Sequence, residues 1–468
     1  LTRVARARDI ALVVTTPSPS LLSWILTGRW DPSDRPPPPR VEPADGGFFR
    51  LTLGPLLLMV LTPFLAEVLW VVVYHHGGSA RDFIRDFDAA TFAREFPRPS
   101  LTALRTVLAW ALFQAVLLWT LPGARFLGPV TPKGNQPVYR RNGVLAWAVS
   151  HGAVLLGVYT GALDPVAFWR DYGSMLVVLN LGALLLCALL YWKGRRWPST
   201  TDARYTGHLP FDFFQGVELH PTLFGADVKQ LINCRISMMG WSVSVVLFAC
   251  AQWRLTGRVT WAMAACVAVT VVYLLKFFVW ETGYFRSLDI MHDHFGYYIC
   301  WGVLCWVPSV YCLPGMYIAQ RRSDLHPVVA AAIVALGLLS IAVNYAADEQ
   351  RQRVRDTGGK TTIWGRKPQL IHARYRGPDG EERTNLLLAS GYWGIARHFH
   401  YVPEIMLALA WTLPAGVEHA LPYFYVFFLT ILLVDRARRD DGRCRKKYGE
   451  DWEEYCRRVR WKILPGVY

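Results

Sequence analysis

Three stretches of this chain concentrate side chains that can move protons or hold phosphate. The first, WETGYFRSLDIMHDHFGYY at Trp280–Tyr298, sets Glu281, Tyr284, Asp289, His292, Asp293 and His294 between two strongly apolar runs. Titratable groups at the edge of a membrane core are costly to desolvate, so each is a functional candidate. Glu281, Asp289, His292 and Asp293 are expected to face a substrate. The second stretch, SGYWGIARHFHY at Ser390–Tyr401, joins Gly391 and Gly394 to Arg397, His398 and His400. Its glycines permit close backbone approach to a ligand. In the third, DRARRDDGRCRKKYGEDWEEYC at Asp435–Cys456, Arg436, Arg439 and Asp440 follow the last apolar residue directly. They can therefore face the interior of a helix bundle at its mouth.

The residue types limit the chemistry. A metal site would draw on His292, Asp293 and His294 with His398 and His400, but the HxxxH and HxxHH boxes of membrane di-iron enzymes are missing from the sequence, and no metal is expected. There is no GxGxxG and no P-loop, so a nucleotide is not held by a Rossmann fold. Arginine matches phosphate bidentately, which makes a polyanionic cofactor one reading of the basic stretches. Attraction to lipid headgroups is the other.

The elements that must position these groups are membrane helices. The chain has 468 residues, 53% hydrophobic and only 18% charged, with a mean hydropathy of +0.22. Soluble chains carry about 25% charged residues. Apolar windows place ten spans at about 51–74, 101–121, 144–163, 172–192, 236–252, 259–280, 295–319, 327–347, 399–415 and 419–435. The seventh is broken by Pro308 and Pro314. Net charge is +15, and 39 of the 50 Lys and Arg fall in the N-terminal arm, the even-numbered loops and the tail. That bias puts both termini in the cytoplasm, and it explains the basic excess without nucleic acid. Nine cysteines form no CxxC pair and lie mostly in apolar runs, where Cys is a small hydrophobe. The expected organisation is an all-α polytopic membrane protein: a basic, Pro-rich arm over 1–49, then a ten-helix domain over 50–468.

From about Asn142 onward the chain resembles the sterol reductase family of Δ14- and Δ7-reductases. The resemblance rests on LLASGYWGIARHFHY at Leu387–Tyr401, on LLVDRARRDDGRCRKKYGEDWEEYC at Leu432–Cys456, and on LPGVY at Leu464–Tyr468. NGVLAW at Asn142–Trp147, His151 and Asn180 add to it. DIMHDHFGYY at Asp289–Tyr298 and IWGRKP at Ile363–Pro368 look most like the Δ7 branch. The resemblance implies an NADPH pocket built by the C-terminal helices and cytoplasmic loops, within the segment from about 340 to 468, with a sterol entering from the surrounding membrane lipid. Arg351 and Arg355 would meet phosphates. Trp393, Arg397, His400, Arg436, Asp440 and Tyr448 would line the same pocket, and Tyr284 and Asp440 correspond to positions considered as proton donors. The family's usual Asn is His400 here and its usual Lys is Arg351. Asp348 stands where an Asn is expected, and Lys276 replaces an acid in the sixth span.

The resemblance further implies NADPH-dependent reduction of the C7=C8 bond of a Δ5,7-sterol, with the proton donor in a dry pocket. Asp440 suits that role, with Tyr284 relaying or donating the proton. The membrane would be the endoplasmic reticulum of a eukaryote or the cytoplasmic membrane of a bacterium. Three other readings stay open at this point. They are a Δ14-sterol reductase, an isoprenylcysteine-type methyltransferase and a non-catalytic sterol-binding protein.

Overall fold

A computed structural model describes residues 37–43, 46–131, 133–322, 324–377 and 380–468. Most of the expected arm lies outside the described residues. Its described part is tied down, with Val41 N donating to Tyr205 O at 2.8 Å and Arg40 Nε to Thr206 O at 3.0 Å.

Among the described residues, eight helices are long and apolar enough to span a bilayer. They are α1 Phe49–His75, α2 Leu101–Thr120, α3 Gly143–Thr160, α4 Tyr172–Arg196, α5 Gln230–Thr256, α6 Trp261–Val279, α7 Tyr297–Ala319 and α8 Pro327–Asp356. Local signals set their ends. Ser100 and Thr260 accept from the backbone N–H three residues on, capping α2 and α6. Gly161 and Gly257, at φ 77° and 79°, close α3 and α5 in the left-handed conformation that glycine adopts freely. The seventh span is continuous through Pro308. Wider π-type turns over Gly302–Tyr311 absorb the missing N–H, and Pro314 falls in the first turn of the helix that resumes at Leu313. One face of α1 (Leu57, Val60, Leu61 and Phe64) is exposed, as a lipid-facing surface would be.

The last two expected spans differ from the eight. α9, Tyr401–Thr412, has 12 residues, about 18 Å against a hydrocarbon core of about 30 Å. No residue of α9 is exposed, and its most extensive packing is against α8. α10, Phe424–Tyr448, has 25 residues but turns charged after Val434. Among the described residues, eight of the ten expected spans therefore meet the requirements of length and composition. The all-α expectation describes the bundle. Three two-stranded antiparallel sheets interrupt it: β1 Ala124–Leu127 with β2 Val138–Arg141, β3 Thr222–Leu223 with β4 Ala226–Asp227, and β5 Leu370–Arg376 with β6 Glu382–Leu388.

The β5–β6 hairpin replaces what reads in sequence as a basic loop. Its register runs from Leu370 opposite Leu388 to Arg376 opposite Glu382. Ile371, Ala373 and Leu387 pack with Trp452, Tyr455 and Val459 of the helix α11, Glu450–Arg458, and its flank. Tyr448 sits in the same cluster. The hairpin thus fixes the end of α10 over the mouth of the bundle.

Candidate active site

One cavity of about 1190 Å³ runs between the helices and opens among the basic segments. At one end it is bordered by Leu58, Thr62, Phe214, Tyr297 and Trp301, at the other by Arg351, Arg355, Lys447 and Trp452. Two helices carry it from apolar to charged surroundings. Asn344, Asp348, Arg351 and Arg355 of α8 all line it, spaced to share one helix face over about 16 Å. On α10, Leu429, Leu432 and Leu433 line it before Arg436, Asp440, Arg443 and Lys447.

Most of the expected site residues meet here: Tyr284, Asp289, His292, Arg351, Arg355, Trp393, Arg397, His400, Arg436, Asp440 and Tyr448 all border the cavity. Glu281 and Asp293 do not line it. Glu281 is 1% exposed, accepts from Gly143 N at 3.2 Å and forms a buried ion pair with Arg235. That pairing makes it a structural tie between α5 and the α6–α7 segment. Asp293 presents its backbone carbonyl to Lys229 Nζ at 2.6 Å.

The arginines divide by partner. Arg351 lies 4.2 Å over the Trp393 ring and pairs with Asp348 at 3.3 Å, so the departure at 348 is matched by a cation beside it. Trp393 is itself fixed by donating to Ala347 O at 2.7 Å. Arg436 pairs with Asp289 at 2.6 Å. Arg397 donates to Val459 O at 2.6 Å and Arg460 O at 3.1 Å, while its backbone N–H and that of His398 donate to Trp461 O and Lys462 O. Its guanidinium therefore holds down the C-terminal segment. Among the described residues, Arg355 and Lys447 have no carboxylate within 4 Å. Lys447 Nζ lies 3.9 Å over the Tyr375 ring of the hairpin.

The two candidate acids sit in different settings. Asp440 is ion-paired with Arg443 and lies 3.6 Å from His398 Nε2, with its side chain 20% exposed. This is not the dry setting expected of a proton donor. Burial pushes His398 down to about 4, so the ring beside Asp440 is neutral. The Tyr284 hydroxyl accepts from Asn233 Nδ2 at 2.9 Å. Burial raises it well above the ordinary tyrosine value, so the phenol keeps its proton. His400 is driven well below the ordinary histidine value by burial, and its Nδ1 has no hydrogen-bond partner within the described residues.

The histidines that a metal site would have drawn on have separate settings. His294 Nδ1 bonds Val217 O at 3.0 Å, His292 borders the cavity, and the His398 and His400 rings are 5.9 Å apart. Sequence reasoning missed Asn233, Lys447 and Asn344 as cavity residues. Asn344 was findable, being seven residues before Arg351 on the same helix face. Asn233 was not, since nothing in its neighbourhood on α5 marks it.

Comparison with known proteins agrees with this architecture. The model of the ergosterol biosynthesis ERG4/ERG24 family matches residues 69–468. The chain is 43% identical over 417 residues to 7-dehydrocholesterol reductase of Arabidopsis thaliana, covering 88% of this chain and 96% of that protein. It is 33% identical over 419 residues to Delta(14)-sterol reductase of Methylotuvimicrobium alcaliphilum, covering 88% and 94%. The 7-dehydrocholesterol reductase of Xenopus laevis is 33% identical over 386 residues, covering 80% and 82%. A methyltransferase reading has no place beside a match of this extent, and the chain belongs to the ERG4/ERG24 family of sterol reductases.

Proposed function

We propose that this membrane protein reduces the C7=C8 double bond of Δ5,7-sterols with NADPH. The observation that carries the reading is the two-ended cavity. A stretch lined mainly by aromatic and aliphatic side chains, with a few polar groups among them, leads to a mouth lined with cations. The preference for Δ7 over Δ14 reduction is supported by 43% identity to a 7-dehydrocholesterol reductase against 33% to a Delta(14)-sterol reductase.

The mouth fits a dinucleotide phosphate. Arg355 and Lys447 are free of carboxylates among the described residues, Arg351 spreads over Trp393, and the unpartnered Nδ1 of His400 offers a buried polar atom. These groups, with Tyr448 and Arg436, would hold the cofactor, which supplies hydride when bound. Tyr284 donates the proton. Asn233 gives its N–H to the phenol oxygen, which leaves the hydroxyl hydrogen free for the substrate. The proton goes to C8, leaving a cation at C7 that the C5=C6 bond stabilises by conjugation, and hydride closes C7. The Asn233 N–H, which already points at the phenol oxygen, would strengthen its hydrogen bond to the phenolate left behind. Asp440 holds Arg443 at the mouth and serves the cofactor end of the site.

The substrate arrives from membrane lipid, and both termini face the cytoplasm, in the endoplasmic reticulum if the source is eukaryotic. Incubating the protein with NADPH and Δ5,7-, Δ8,14- and Δ24(28)-sterols, then identifying which double bond disappears, tests the assignment. Loss of the Δ14 bond alone would transfer the chain to the other branch.

A further inference from the structure

Four polar side chains meet inside the bundle, away from the phosphate-binding mouth. Lys276 Nζ of α6 donates to Asn344 Oδ1 of α8 at 3.1 Å. Asn344 Nδ2 donates to Glu404 Oε2 of α9 at 3.2 Å and to His400 O at 3.1 Å. The Tyr273 hydroxyl donates to Glu404 Oε1 at 3.0 Å. All four border the cavity. Among the described residues, Lys276 and Glu404 do not pair directly, and the amide stands between them.

The hydrogen-bond inventory of this cluster is incomplete. An ammonium has three donors, and the one acceptor found for Lys276 is Asn344. Its other neighbours are the faces of Trp280 and Tyr345, at 5.2 and 6.0 Å. A carboxylate offers about four acceptor sites, and Glu404 uses two. Spare donors therefore stand at one end of the cluster and spare acceptors at the other. An anion would meet Lys276 but be repelled by Glu404, and a cation the reverse. Either would also carry the desolvation penalty of a further charge at membrane depth. An uncharged group with both donor and acceptor character satisfies both ends.

We propose that Lys276 and Glu404, separated by Asn344, form a binding subsite for an uncharged group that both donates and accepts a hydrogen bond. The inference rests on the reductase reading, which supplies two ligands with such a group: the hydroxyl of the sterol and the carboxamide of the nicotinamide. The test reads binding rather than turnover, so that it is separate from the reaction itself. Ligand-dependent shifts in melting temperature of the full chain in detergent would give dissociation constants for two pairs of ligands. One pair is a Δ5,7-sterol and its 3-deoxy analogue. The other is NADPH and the analogue carrying an acetyl group in place of the carboxamide. The wild-type protein is expected to prefer the natural member of one pair by roughly tenfold or more, and Lys276→Met should reduce that preference to near unity. The pair that responds names the ligand. Should Lys276→Met not accumulate as folded protein, Glu404→Gln, which keeps the shape, decides by the same readout. Discrimination below about twofold in both pairs in the wild type, or discrimination left intact by the variant, overturns the subsite. Absence of sterol turnover would instead overturn the proposed reaction.

Discussion

Tyr284 and Asp440 carry opposite expectations. Tyr284→Phe keeps the ring and removes the transferable proton, so single-turnover reduction at saturating NADPH should fall by about 10²–10⁴, with both ligands still bound. Asp440→Asn breaks the ion pair with Arg443 without touching that proton. It should weaken NADPH binding and leave the single-turnover rate within a few-fold of wild type. A collapse of that rate would restore Asp440 as the acid. Arg355→Gln and Lys447→Gln should each raise the NADPH dissociation constant by about ten- to a hundredfold through loss of a charge-assisted contact. Titration of NADH beside NADPH shows which of them reads the 2′-phosphate, since that residue affects NADPH alone. The residue types of the site were legible because arginines and acids in an otherwise apolar chain stand out. Their partners were not. That Asp289 holds Arg436, or that Arg397 is occupied by Val459 and Arg460 carbonyls, depends on contacts distant in sequence.

Arg397 acts as part of an element. Because its guanidinium ties the carbonyls of residues 459 and 460 to the segment before α9, Arg397→Gln should lower the melting temperature and expose the C-terminal tail to protease, even with NADPH saturating. A protein as stable as wild type, with only cofactor binding impaired, would return Arg397 to the phosphates. A second clamp operates on the α6–α7 segment. Lys229 is fully buried, and its Nζ donates to the carbonyls of Asp289, Ile290 and Asp293 at 3.0, 2.8 and 2.6 Å. Desolvation pulls it down to about 8, against the pull of Asp227, Asp289 and Asp293. Deprotonation leaves two N–H donors for three carbonyls, which loosens the segment bearing Asp289 and hence Arg436. Turnover should therefore fall as pH rises through about 8. The unfolded chain keeps this proton to about 10.5, so between these values the folded state binds fewer protons and this group's contribution to stability rises with pH. The loss of activity is then not unfolding. In Lys229→Arg, which stays charged, the alkaline limb of the pH–rate profile should move upward. A limb that does not move rules the clamp out.

At the scale of the whole molecule, the eight long helices were readable from hydropathy because each carries an apolar window long enough to cross a bilayer, including α7, which is largely buried. The hairpin was not, since its alternating burial is short and its partner, α11, starts at Glu450, far along the chain from Leu388 where the hairpin ends. The ninth expected span, 399–415, contains an α-helix, Tyr401–Thr412, shorter than its apolar window, for a related reason. Residues 399–415 are apolar because α9 is enclosed by protein, and a helix wrapped by its neighbours looks to a hydropathy count like one wrapped by lipid.

That enclosure has a consequence for how the chain is made. During synthesis a segment leaves the translocon for lipid on its own hydrophobic length, and 12 residues fall short of the roughly 20 needed. α9 must then enter the bilayer by packing against α8 after α10 has emerged, as a late step of assembly rather than an independent insertion. A chain truncated after Thr412 should hold α1–α8 in the membrane while α9 stays open to cytoplasmic protease, and extension through Tyr448 should protect it. Equal protection of both products would mean that α9 inserts unaided.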